Sequence, residues 1–297
     1  MAGKNSEREM AHGRRGDEHV VEAIGRTRIV IRQGKVVEVG EPLIRDCPLA
    51  RRFAVPVTDF SSEAIRANIQ HRIASFGMCT GARELTSDRD FVLFGASELL
   101  ATALRVDLVS AVVLACDGAG TVVVTRPDLV QGIGGRMSGL VCTSPIPEVI
   151  EKIRSLGGEV LDPHGGAIDM PSGADLAAVR GHRRFAVTVA SADDAVRIRA
   201  LHPRAVICAV HTTGTSRQDA ERMVAACDLV TVCASRHLRD LGASALLQAG
   251  TAIPVFAYTP AGKDVILAKL RETVSPFLVK GERLPVAGGK GTPEPLV

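Results

Sequence analysis

The chain has no tryptophan, one tyrosine and eight phenylalanines in 297 residues. Stacking of bases on aromatic platforms therefore has little to work with, and a formal net charge of +3 is too small for a protein that grips a phosphate backbone. Nucleic acid is not an expected partner. Long hydrophobic runs are missing too: the strongest, around Leu108–Ala115, is about ten residues, short of the roughly eighteen a membrane span needs. The opening stretch MAGKNSEREMAHGRRGDEH is polar and offers no signal-peptide core. These absences predict a cytoplasmic protein without membrane association. The seven cysteines are odd in number and none is spaced C-x-x-C, so neither a disulfide framework nor a local zinc knuckle is indicated.

What is present suits a sizeable core: 46% of residues are hydrophobic and 23% charged. Residues 1–17 and 280–297 are polar or rich in Gly and Pro and read as flexible tails. RIVIRQGKVVEVG alternates around Gln33-Gly34, which predicts a β-hairpin. Ile65, Ile69, Ile73 and Phe76 share one face of a predicted helix that Ser61 or Ser62 starts and Gly77 ends. Further along, apolar runs (Val106–Cys116, Arg184–Val189, Ala205–Val210, Leu229–Cys233, Ile253–Tyr258) alternate with helical stretches near Ala96–Leu104, Ile146–Leu156, Ala192–Leu201, Arg217–Ala226, Leu238–Ala249 and Gly262–Thr273. The predicted class is α/β. A mostly parallel, doubly wound sheet with helices on both faces spans 91–279, preceded by a β-hairpin-and-helix portion over 18–90.

In open parallel sheets, ligands lie beyond the carboxyl ends of the strands. The residues just past the predicted strands are small, hydroxylic, thiolic or glycine. Gly118, Gly120, Thr121, Thr212, Thr213 and Ser235 offer N–H groups and hydroxyls to a small anion, and Arg136 in GIGGRMSG (132–139) can fork onto a carboxylate, sulfonate or phosphate. The competing readings are local. Cys116–Gly120 also fits a tight turn with Cys116 as a small buried hydrophobe, GIGGRMSG fits a flap or structural loop, and Thr215 and Ser216 fit helix caps. Asp117 and His211 are the candidate acid–base residues, and Cys79 and Cys116 the candidate thiolates. Glu98 and the pair Asp193 and Asp194 open helices, where the dipole accounts for them. Cys47, Cys79, Cys116 and Cys233, from separate loops, form a competing set of ligands for a metal or an iron–sulfur cluster, while Cys208 and Cys227 sit in apolar patterns and pack. All the chemistry requires the thiol, acid and imidazole to converge on one anion-lined cleft.

Several stretches together resemble the methanogenesis marker protein 8 family, cytosolic proteins typical of methane-forming archaea. They include EHVVEAIGRTRIVIRQGKVVEVGEPLIRDCPL, FGMCTGAREL, FVLFGASELL, CDGAGTVVVTRPDLVQGIGGRMSGLVCTSPIPEVIEKI, VTVASADDA, AVHTTGTSRQDAERM and LLQAGTAIPVFA. Cys47, Cys79, Cys116, Asp117, Arg136, His211 and Cys233 coincide with these recurring strings, whereas Cys142 and Cys208 depart from the family's usual residues. The resemblance implies a setting beside coenzyme M and methyl-coenzyme M reductase and brings no reaction with it. Two functions follow as expectations. One is an enzyme, a lyase or sulfur transferase, acting on a small anionic, sulfonated metabolite through a cysteine thiolate or cysteine-bound metal. The other is a non-catalytic metal- or cluster-binding assembly factor for methyl-coenzyme M reductase or a related metalloenzyme, with that enzyme or a second copy of the chain as partner.

Overall fold

In the computed structural model, which describes residues 16–137, 139–286 and 291–297, the chain builds two sheets that meet along one edge. The first is antiparallel, in the order β3 (Lys35–Val39), β2 (Thr27–Arg32), β1 (His19–Ala23), β6 (Leu140–Thr143). Gln33 and Gly34, with φ of 49° and 66°, turn the β2–β3 hairpin as its Gly-containing loop demands. Helix α1 (Ser62–Phe76) covers this sheet: Ser61 accepts from the Ala64 N–H, Gly77 ends the helix at φ 73°, and Ile65, Ile69 and Ile73 pack with Ile29, Ile31 and Val36. The fourth strand comes from far along the chain, so the N-terminal portion is completed by residues of the α/β portion.

The second sheet has the order β11 (Leu247–Ala249), β12 (Val255–Ala257), β10 (Leu229–Thr231), β9 (Val206–Ala209), β8 (Ala186–Val189), β4 (Val112–Cys116), β5 (Gly120–Val124), β7 (Glu159–Val160). The four central strands, β10, β9, β8 and β4, run parallel, and antiparallel pairs flank them on both sides. The sheet is thus mixed rather than mostly parallel. Its two faces follow the period-two alternation of each strand. Val112, Leu114 and Cys116 point to one face, under α2 (Ala96–Arg105), α3 (Pro127–Gly134), α4 (Pro147–Ser155) and α9 (Pro260–Glu272). Ala111 and Val113 point to the other, under α5 (Met170–Val179), α6 (Ala192–Leu201), α7 (Arg217–Ala226) and α8 (Arg236–Leu241).

Three expectations from the sequence need correction. The run Val106–Cys116 is a strand only from Val112, because α2 continues to Arg105 and Asp107 (φ 57°) turns the chain. Leu238–Ala249 is not one helix: α8 stops at Leu241, and Leu247 pairs with Ala257 as an edge strand. Of the predicted C-terminal tail, residues 291–297 dock. Asp46 and Glu294 exchange N–H···O bonds, and Val297 donates to the Ala234 carbonyl. The predicted N-terminal tail lies outside the described residues up to position 15, and Asp17 is held, accepting from the Gln33 N–H at 2.6 Å.

One buried carboxylate ties the layers of the second sheet. Asp228 accepts from the Ile207 N–H (2.7 Å), from Arg199 Nη2 (2.5 Å) and from Thr259 Oγ1 (2.5 Å), joining β9, α6 and the cap of α9. Asp228→Ala strands a buried N–H and loosens a paired guanidinium, so it is expected to lower unfolding stability by about 3 kcal/mol. Chemical denaturation of the variant beside wild type measures this.

Candidate functional site

The hairpin between β4 and β5 answers why a buried strand ends in Cys-Asp-Gly. Cys116 pairs with Gly120, so Asp117-Gly118-Ala119 is a tight connection between antiparallel strands. Gly120, at φ 73°, passes so close to residues 166–167 that a Cβ would sit 2.5 Å from the Ala167 carbonyl oxygen. The donors of this hairpin have partners within the protein. Gly118 N–H donates to Thr143 Oγ1 at 2.7 Å, Thr121 N–H donates to Ala167, and Thr121 Oγ1 accepts from Asp169 N–H. Gly118, Gly120 and Thr121 therefore carry structure rather than free donors for an anion.

Asp117 is sealed. Its side chain and that of Arg83 have no solvent exposure, with Arg83 Nε 2.9 and 3.1 Å from the two carboxylate oxygens and the Cys79 N–H 2.6 Å from Oδ2. Phe76 lies against the guanidinium, its ring centre 5.1 Å from Cζ. Beside it, His19 joins Thr143 Oγ1 through Nδ1 (2.6 Å) and Asp17 through Nε2 (2.8 Å). Burial pushes the Cys79 and Cys116 thiols up, and the Asp117 carboxylate pushes them further, because a thiolate would be a second anion where no water reaches. The arrangement holds Asp117 in a buried ion pair and disfavours thiolates at Cys79 and Cys116. These residues lock the end of β4 to the loop after α1.

Two strands along the same edge, the surroundings change. β1 and β6 lie across the carboxyl ends of the parallel strands. Thr143 and His19 meet the end of β4, while Gly139 and Glu22 meet His211 beyond β9. Two strand spacings are about 10 Å and the four steps from Gly139 to Thr143 reach about 13 Å, so the crossing strands bridge that gap. His211, at φ 57°, places Nε2 2.9 Å from Glu22 Oε2, and a Cβ at position 139 would fall 2.4 Å from that nitrogen. Only glycine there lets the imidazole lie on the strand. Arg26 donates from Nε to Glu22 (2.9 Å) and from Nη1 to the Thr213 carbonyl (2.6 Å). His211, Glu22 and Arg26 retain 19%, 26% and 35% side-chain exposure, in contrast to the sealed pair at β4. The hydrogen bond from His211 holds the Glu22 carboxyl down at about 2; partial burial opposes it and Arg26 assists.

The remaining predicted residues divide between these regions. Thr212 Oγ1 donates to the Thr231 carbonyl and accepts from the Cys233 N–H, Thr213 is buried beside it, and Ser235 caps α8 by accepting from Leu238 N–H. Arg136 pairs with Glu84 at 2.8 Å and lies over Phe76 and Phe91, sharing the Phe76 ring with Arg83. Gly132 and Gly134 of the GIGG stretch belong to α3, and Ser138 lies outside the described residues. Glu98 holds a loop, accepting from the Phe91 and Val92 N–H groups and from Gln131. The four proposed ligand cysteines split into Cys79 with Cys116 at β4 and Cys47 with Cys233 near β10. Among the described residues no group of three or more His, Cys, Asp or Glu is placed to hold a metal. Glu22, Arg26, Arg83 and His19 were missed by sequence reasoning. The Glu22–His211 contact spans 189 positions, and no local pattern announces it.

The geometry thus describes an α/β protein whose first, antiparallel sheet caps the carboxyl edge of the parallel strands of the second, sealed at one strand and half-open at two others. Residues 19–271 match the family described as uncharacterized protein conserved in archaea (DUF2099), and the chain belongs to that family. It is similar to the uncharacterized protein MJ0054 of Methanocaldococcus jannaschii, with 39% identity over 285 residues that cover 95% of this chain and all of the relative. No solved structure matches. No helix among the described residues is long and apolar enough to cross a membrane.

Two outcomes test this account of the edge. Asp117→Asn leaves the Arg83 guanidinium buried without its counter-charge and is expected to cost about 3 kcal/mol, read from the denaturant midpoint. An unchanged midpoint would contradict the sealed pair. For Glu22 the folded carboxyl titrates below its ordinary 4.5, so its stabilising effect is complete above that pH and is lost as the pH falls toward about 2. Glu22→Gln is therefore expected to show a shallower fall in melting temperature across that window than wild type.

Proposed function

We propose that the chain is an enzyme of coenzyme M-linked metabolism, of the methanogenesis marker protein 8 type, that moves a proton on a small anionic, sulfonated substrate held beyond β9 and β10. The observation that carries this reading is the His211–Glu22 pair beside Arg26. A carboxylate bonded to one imidazole nitrogen fixes the ring's orientation, which is how proteins hold a general acid or base. Arg26 Nη2 has no protein partner among the described residues, so a charged donor is available at a partly exposed position next to the imidazole. The sequence resemblance and the relative from Methanocaldococcus jannaschii support the metabolic setting.

The test is binding and turnover with coenzyme M and short sulfonated carboxylic acids, followed by thermal shift and by product analysis. A sulfonated ligand is expected to raise the melting temperature of wild type. Arg26→Gln is expected to weaken binding about tenfold, the loss of one charge-assisted hydrogen bond. His211→Gln is expected to retain binding and lose turnover by about a hundredfold or more. A wild-type protein indifferent to every sulfonate, or a His211→Gln variant as active as wild type, would overturn the reading.

A further inference from the structure

Three of the seven thiols are half-buried: Cys47, Cys142 and Cys233. Cys142 lies in β6, opposite Val20. The other two are brought together by the docked C-terminal segment. Asp46 and Glu294 exchange N–H···O bonds at 3.1 Å each way, and Val297 donates to the Ala234 carbonyl at 3.1 Å. Glu294 and Val297 are three positions apart, a reach of about 10 Å at most. Cys47 follows Asp46 and Cys233 precedes Ala234, so the strap links the two cysteine-bearing loops. Apolar packing agrees, because Cys47 packs against the cluster that contains Ala234.

The surroundings of the two sulfurs are alike and differ from those of the sealed thiols. Burial raises both thiols, and Cys233 adds to the rise at Cys47. Against this, the Leu49 and Ala50 N–H groups favour the Cys47 thiolate, while the Thr212 N–H and Thr213 hydroxyl favour that of Cys233. The Arg239 guanidinium adds a positive charge near Cys233. Cys79 and Cys116 instead face the Asp117 anion.

The geometry points to Cys47 and Cys233 as a thiol–disulfide exchange pair that reduces a small disulfide, with Cys233 attacking and Cys47 resolving. Cys233 thiolate attacks one sulfur of R–S–S–R, forming a mixed disulfide and expelling RS⁻. Cys47 thiolate then attacks the Cys233 sulfur, expels the second RS⁻ and closes the Cys47–Cys233 bond. The two thiol protons pass to the two leaving thiolates. In sum, one small disulfide becomes two thiols, and the protein dithiol, oxidised by two electrons, becomes a disulfide. This exchange needs no proton transfer by His211 and stands apart from the sulfonate reading.

The experiment exposes the full-length reduced protein, without oxygen, to oxidised glutathione, then blocks free thiols and maps the peptides by mass spectrometry. Wild type is expected to release two equivalents of glutathione and to yield the Cys47–Cys233 linked peptide. Cys47→Ser is expected to stop at one equivalent, with glutathione retained on Cys233, and Cys233→Ser to react at least about tenfold more slowly than wild type. If either variant fails to fold, the wild-type peptide map decides. Wild type that keeps both thiols free, that links a different pair, or that carries glutathione without closing the bond would overturn the assignment. So would Cys47→Ser with no adduct on Cys233.

Discussion

The ion pair of Arg83 with Asp117 is the contact on which the arrangement of the two sheets rests. Both groups have left water entirely, and the desolvation of two charges is offset only while each keeps the other and the neighbouring donors. Such a pair contributes little net stability compared with an apolar filling. Its consequence is positional. Arg83 belongs to the loop after α1 and Asp117 to the end of β4, so the first layer docks on the second in one register or leaves a charge stranded. The Cys79 N–H, the Phe76 ring face and the neighbouring Thr143–His19 bonds all assemble around that requirement.

With the layers so docked, β1 and β6 run over the carboxyl edge that open α/β proteins ordinarily offer to ligands. The edge is not uniform beneath them. At β4 it is dry, and its thiols are held protonated by burial beside a carboxylate. Beyond β9 and β10 the crossing strands bring a carboxylate, a guanidinium and a glycine instead, and the groups there keep partial access to water. The opportunity for proton transfer and thiol chemistry therefore moves along the edge, away from the glycine-rich hairpin that dominates the sequence and toward the His211 and Cys233 loops.

Much of the scaffold was legible because it is written in local periodicity. The α6 and α7 bounds, Ala192–Leu201 and Arg217–Ala226, match expectation, and α1 is bracketed by the Ser61 hydroxyl and by Gly77, whose lack of a Cβ permits its φ of 73°. Short elements were harder. A three-residue edge strand such as β11 looks like the end of the helix before it, since apolar spacing over so few residues suits either. The hairpin at Cys116–Gly120 shows the same limit on the functional side. Glycines that admit a close backbone approach look alike whether the neighbour is an anion or, as here, the chain at 166–167.

By itself, the sequence determined the α/β class, the placement of most helices and central strands, and which loops stand at the carboxyl edge, because these depend on neighbours within a few residues. Tertiary structure alone decided which of those loops stay wet. Exposure of Asp117 or His211 depends on Arg83, Glu22 and two crossing strands that reach them from distant parts of the chain. Charge and protonation answer to what surrounds a group in space, and hydrophobic periodicity carries no record of that.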